Sequence, residues 1–172
     1  MADPKPSRWR NLRLPGVLSI LVAIALGSTV GIPMWFGRGD ITLNSAARLL
    51  VDDLTEMRER ASYLHVDLQV NFDEDGGGYI ISDDKGFPLA APLGPGRFLR
   101  EYDIDAVFRG VRISALEIEG SSERYVRVDP NGSFAAFSQV EMSFKDQRRT
   151  IIIDPKTGVI RLQPGPLRAT TE

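Results

Sequence analysis

Residues 43–72 read LNSAARLLVDDLTEMRERASYLHVDLQVNF, and a change of period inside this stretch decides the fold. Leu43, Ala46, Ala47, Leu50, Leu54, Met57, Ala61 and Leu64 recur every three or four residues. That spacing predicts a helix over about 43–64 with one apolar stripe. Arg48 with Asp52, and Glu56 with Arg60, supply i,i+4 charge pairs for its wet side. A helix with one apolar stripe must lie against another element, so Leu43, Ala47, Leu50, Leu54, Met57 and Ala61 are expected to pack on a sheet. From His65 the period falls to two. Val66, Leu68, Val70 and Phe72 alternate with Asp67, Gln69, Asn71 and Asp73, the pattern of a half-buried strand.

Downstream, Asp75-Gly76-Gly77-Gly78 reads as a turn and Tyr79-Ile80-Ile81 as a return strand. Asp84-Lys85-Gly86 turns again, and the prolines and glycines of 88–96 predict a loop. Strands are then expected over about 107–118, 125–128, 135–144, 150–154 and 159–162. Asp129-Pro130-Asn131-Gly132 and Asp154-Pro155-Lys156-Thr157-Gly158 are turn sequences between them. One helix followed by an antiparallel meander makes the expected class α+β.

Upstream, Leu14 to Phe36 is a run of 23 residues without a charge. As a helix it would cover the hydrocarbon layer of roughly 30 Å. Leu14, Val17, Leu21 and Ile24 mark this anchor, and Trp35 and Phe36 close it where amphipathic rings favour the headgroup level. Lys5, Arg8, Arg10 and Arg13 precede the span, whereas Asp40, Asp52 and Asp53 follow it. That asymmetry predicts a single-pass protein of a bacterial inner membrane, with a cytoplasmic N-terminus and a periplasmic C-terminal domain. A cleaved leader ending near Ala25-Leu26-Gly27 is the competing reading; apolar character continuing to Phe36 favours a retained anchor. Gly27 and Gly31 have a small-xxx-small spacing suited to helix packing. The expected organisation is a basic segment 1–13, a span 14–36, a linker 37–42, a head 43–162 and a polar tail 163–172.

The 172-residue composition, 42% apolar and 26% charged with a net charge of −2, suits one globular domain plus an anchor and gives no reason to expect nucleic acid. Cysteine is absent, which removes disulfides and thiolate chemistry. His65 is the single histidine, with no second histidine or cysteine to form a metal pair. Ser121-Ser122 has no base beside it. Asn71, Asp73, Asp75 and Gly76 copy the start of a calcium loop, but the terminal bidentate position holds Ser82, so a hairpin turn is preferred. Arg97, Arg100 and Arg109 are dispersed and suggest partner contacts or a wet face. No catalytic residue, cofactor, metal or small-molecule substrate is expected.

The run Asn44-Ser45-Ala46-Ala47-Arg48-Leu49-Leu50-Val51-Asp52-Asp53-Leu54, followed by Asn71-Phe72-Asp73-Glu74-Asp75-Gly76-Gly77-Gly78-Tyr79, resembles minor pseudopilins of the H type in type II secretion. It is similar also to minor pilins of type IV pilus systems. Val128-Asp129-Pro130-Asn131-Gly132-Ser133 and the hairpin from Arg149 to Arg161 are similar to that family's closing motifs. The resemblance implies a helix packed on a β-rich head, with a structural role near the tip of a short filament. It implies no catalytic residue. The N-terminus departs from the family. With cleavage after Gly16, position five would be Leu21; with Pro33 as the kink proline, it would be Gly16. Neither register places a glutamate there, and such a buried acid directs subunit docking in the membrane. The expectation is therefore a non-catalytic accessory subunit of a photosynthetic, respiratory or transport complex. Its partners would be other membrane protein subunits and the bilayer. The alternative is a divergent minor pseudopilin of a type II secretion or type IV pilus system.

Overall fold

The computed structural model describes residues 39–92 and 95–167. The basic segment 1–13 and the expected span, with Leu14, Val17, Leu21, Ile24, Trp35 and Phe36, lie outside them. No helix among the described residues is long and apolar enough to cross a membrane.

Helix α1 runs Gly39–Leu64 and is followed by β1 Leu68–Phe72, β2 Gly78–Asp83, β3 Leu99–Glu101, β4 Arg112–Ile118, β5 Tyr125–Val128, β6 Ser138–Phe144, β7 Gln147–Asp154 and β8 Val159–Pro164. The helix begins earlier than its first apolar residue. Most of the expected linker 37–42 is thus helical from residue 39, since 39–42 contains no proline to block the turn. Leu43, Ala47, Leu50, Leu54, Met57 and Ala61 are all fully buried, as is Ala46. Leu64, expected on the same stripe, is 52% exposed. The helix has by then run past the sheets. His65 ends it in the left-handed conformation at φ 55°, and the Val66 amide donates back to the Ala61 carbonyl at 3.3 Å. This is a Schellman-type stop, and it makes the lone histidine a capping residue.

The strands form two four-stranded antiparallel sheets and not one meander. Sheet I has the order β3-β2-β1-β5 and sheet II the order β4-β6-β7-β8. The departure comes from β5, which returns past β4 to pair with β1, setting Leu68 opposite Val128 and Val70 opposite Val126. Helix α1 packs on both sheets, against β1 and β5 of the first and β6, β7 and β8 of the second. Leu68, Val70 and Phe72 point into this shared core with Val126, Val128, Val140, Met142, Ile151 and Ile153.

Three local expectations are corrected. The strand predicted from 107 starts only at Arg112, because the Asp105 carboxylate accepts the Val107 and Phe108 amides at 2.7 and 3.0 Å and holds a turn there. The expected loop 88–96 is tied down by isolated bridges, Ser82 with Pro88 and Ala90 with Arg97, and leads into the unforeseen β3. The tail beginning at 163 is ordered as far as it is described. Strand β8 extends to Pro164, Thr150 Oγ1 donates to the Gly165 carbonyl at 2.9 Å, and the Leu167 amide donates to Glu141 Oε2 at 2.8 Å.

Candidate functional site

Among the described residues, two buried carboxylates organise polar centres. The first lies where α1 meets sheet I. Asp53 sits on the apolar stripe, three residues after Leu50 and one before Leu54, and is 4% exposed. Its Oδ2 accepts from the Tyr79 hydroxyl at 2.7 Å and from Arg100 Nε at 2.7 Å, while Oδ1 accepts from an Arg100 terminal nitrogen at 3.0 Å. The fork-to-fork geometry suits guanidinium and carboxylate. Arg100 is therefore not a dispersed surface cation but a cross-link from β3 to the helix. Its guanidinium also lies 5.7 Å from the Phe98 ring centroid, with Arg60 at 5.6 Å. Rings of Phe72, Tyr79, Tyr102 and Phe108 pack in series beside it, the first pair tilted and the next two edge-on, at centroid separations of 6.0 to 6.1 Å. The Tyr102 hydroxyl is buried near Tyr79, Asp53 and Arg100 but forms no well-aligned hydrogen bond.

Burial pushes the Tyr79 hydroxyl pKa well above its ordinary value, reinforced by neighbouring Tyr102 and Asp53, and burial does the same for Tyr102. Both phenols thus stay protonated in the folded chain at a pH where unfolded tyrosine ionises. The unfolded state then holds fewer protons, so stability falls as pH rises above about 10. Tyr79→Phe should flatten this alkaline decline between pH 9 and 11, while lowering stability at pH 7 by about 1–2 kcal/mol through loss of a donor to Asp53. Urea midpoints across that range would check both effects.

The second centre lies on the face of sheet II away from the helix. Glu141, 3% exposed, accepts from Ser114 Oγ at 2.7 Å, Arg148 at 3.2 Å and the Leu167 amide at 2.8 Å. In both centres the carboxylates accept from internal donors, an arrangement that ties elements of the head together.

Asn71 links two strands, while Asp75 and Ser121 cap turns. Asn71 Nδ2 donates to Ser82 Oγ at 2.9 Å, Asp75 Oδ1 accepts the Gly77 amide at 2.8 Å, and Ser121 Oγ accepts the Glu123 amide at 3.1 Å. No group of three or more acidic or histidine side chains among the described residues is arranged to hold a metal ion. Arg97 and Arg109 are exposed.

The turn Asp75-Gly76-Gly77-Gly78 is a seam. The Gly76 carbonyl accepts the Ile113 amide of β4 at 2.9 Å, and the Gly77 carbonyl accepts the Tyr102 amide at 2.7 Å. It thereby joins sheet I to the first residues of sheet II. Around it gather Asp73, Asp75, Glu101 and Asp103, with Arg112 bonding the Asp75 carbonyl at 2.9 Å and Asp103 at 3.3 Å. Partial burial raises the Asp73 pKa, followed by the repulsion of Asp75 and Glu101, with Arg124 opposing.

Neither protein-family models nor the curated proteins match the sequence. Solved structures do match the fold. Against the minor pseudopilin EpsH from the type 2 secretion system of Vibrio cholerae the TM-score is 0.53 at 16% identity, covering 71% of this chain and 96% of that one. Against the type IV minor pilin FimU of Pseudomonas aeruginosa it is 0.47 at 20% identity, covering 72% and 88%. The first likeness shows a pseudopilin-like α+β head.

Proposed function

We propose that this chain is a non-catalytic structural subunit that assembles with other protein chains, as a divergent minor pseudopilin of a type II secretion or type IV pilus system. The observation that carries this reading is the shared fold, which accounts for nearly the whole of the EpsH chain. The order of motifs along residues 44–161 supports it. The same likeness favours this assignment over an accessory role in a photosynthetic, respiratory or transport complex, the expectation drawn from the missing glutamate. The reading keeps residues 14–36 as a single membrane-spanning anchor, places the head in the periplasm and assigns it contacts with protein partners. Both buried polar centres suit a scaffold: they fix the helix and the tail to the sheets.

Isolation of the chain from native membranes in mild detergent, with mass-spectrometric identification of what stays bound, tests the proposal. Pilin-type proteins, a secretion ATPase or a prepilin peptidase are the expected companions. Stoichiometric recovery of an energy-converting or transport complex would overturn it. Intact mass of the same preparation reads whether the segment through Gly16 is retained.

A further inference from the structure

Asn131-Gly132 is the one Asn-Gly pair in the sequence, and it lies in the turn that follows β5. Asn131 is exposed, so water reaches its side-chain amide. Asparagine is a thermolabile residue, and a following glycine removes the side chain that would shield it from its own backbone. The Gly132 nitrogen attacks Asn131 Cγ and gives up its proton, a succinimide ring closes, and ammonia leaves. Water then opens the ring at either carbonyl and yields aspartate or isoaspartate. One water enters for each ammonia lost.

The fold withholds the nucleophile. The Gly132 amide donates to the Asp129 carbonyl at 2.9 Å, the bond that closes the turn. Asp129 Oδ1 accepts the amides of Asn131 and Ser133 at 2.8 and 2.9 Å. The Asp129 amide donates in turn to the Ser133 carbonyl at 2.9 Å. A single residue therefore braces the turn from both sides. Gly132, at φ +79°, is also seated against the end of α1: a Cβ there would lie 3.2 Å from the Arg58 carbonyl oxygen and 3.4 Å from Ser62 Cβ. To react, the Gly132 nitrogen must give up its bond to Asp129 and swing toward the Asn131 side chain, and both movements need the turn to open.

We propose that Asn131 is a deamidation site kept latent by the Asp129 turn. The modification falls on chains that have lost the turn and spares the folded head. Isoaspartate adds one methylene to the backbone before Gly132, about 1.5 Å of extra chain. With that insertion Gly132 no longer fits between the Asp129 carbonyl and Arg58. A chain that lingers unfolded is thereby marked, and the mark hinders its return to the native turn.

The test uses full-length protein aged in mild detergent and, in parallel, in concentrated urea at the same mildly alkaline pH. The tryptic peptide 128–145 contains Asn131 and no other asparagine. Its amide, aspartate and isoaspartate forms are quantified by chromatography and mass spectrometry. Conversion should be at least about tenfold slower in the folded chain, where the turn is open for a small fraction of the time. Asp129→Ala should speed conversion in the folded chain and leave the rate in urea unchanged. Asn71, followed by the bulky Phe72, should keep its amide in both conditions. Chains refolded after ageing in urea should melt lower in proportion to their isoaspartate content. Equal rates with and without urea, or conversion of Asn71 as fast as Asn131, overturns the proposal. If Asp129→Ala does not fold, the comparison of the parent chain in the two conditions still decides.

Discussion

Gly76→Ala should cost the head about 3–4 kcal/mol and lower its melting temperature by about 10 °C, the sum of left-handed strain and overpacking. A Cβ at this position would lie 2.3 Å from the Ile113 carbonyl oxygen, a backbone atom that cannot move without breaking the seam between sheets. The residue also has φ +73°, where an L side chain is strained. The two causes can be separated. Gly86 has φ +82° and open space around its missing Cβ, so Gly86→Ala should show the strain alone, about 1 kcal/mol. Gly78→Ala should show the clash without a positive φ, since its Cβ would meet the Arg100 carbonyl at 2.0 Å. Thermal melts of the three variants check the assignment. Equal losses at Gly76 and Gly86 would mean that the close approach of β4 contributes nothing.

The second large effect is at the Asp53 cross-link. Arg100→Ala should destabilise by about 3 kcal/mol, because it strands a buried carboxylate with one donor left. The number sits at the low end since the Arg100 side chain is itself 34% exposed and water can reach the vacated place. The sharper expectation concerns the whole centre. Replacing it by apolar groups of similar bulk, as Asp53→Leu/Tyr79→Phe/Arg100→Met, should recover most of the loss, since a buried ion pair gains little over good packing once neither partner is left alone. If the triple variant is as unstable as Arg100→Ala, the centre stabilises the fold outright, and chemical denaturation of the two would reveal it.

What was legible in the sequence was local. The stripe from Leu43 to Ala61 and the alternation from Leu68 to Phe72 are each spelled within one element, and the structure buries those residues. The same rules hid Asp53. An acid in a helix reads as solvent-facing, and its partners Tyr79 and Arg100 lie 26 and 47 residues away. Its place three residues after Leu50 was the one available signal. The three glycines read as a turn, and the turn is there, but the reason for so many glycines arrives from Arg100 and Ile113, in strands that periodicity cannot bring near. The second sheet was missed because alternation gives a strand its faces and not its neighbours. Glu141 and the ordered tail were missed likewise: nothing within β6 announces an amide 26 residues downstream.

The pairing of β1 with β5 also sets an order of events as the chain folds. Strands β6, β7 and β8 are joined by short turns, so their hairpins close over little intervening chain. Leu68 must wait for Val128, and closing that distance costs more entropy before any contact repays it. The helix packs on both sheets, so its bed is complete only when β1 and β5 have paired. In pulse-labelled refolding, amides between β6 and β7 should therefore gain protection earlier than those between β1 and β5. Until that closure, the part of the helix stripe that β1 and β5 cover stays open to whatever lies nearby.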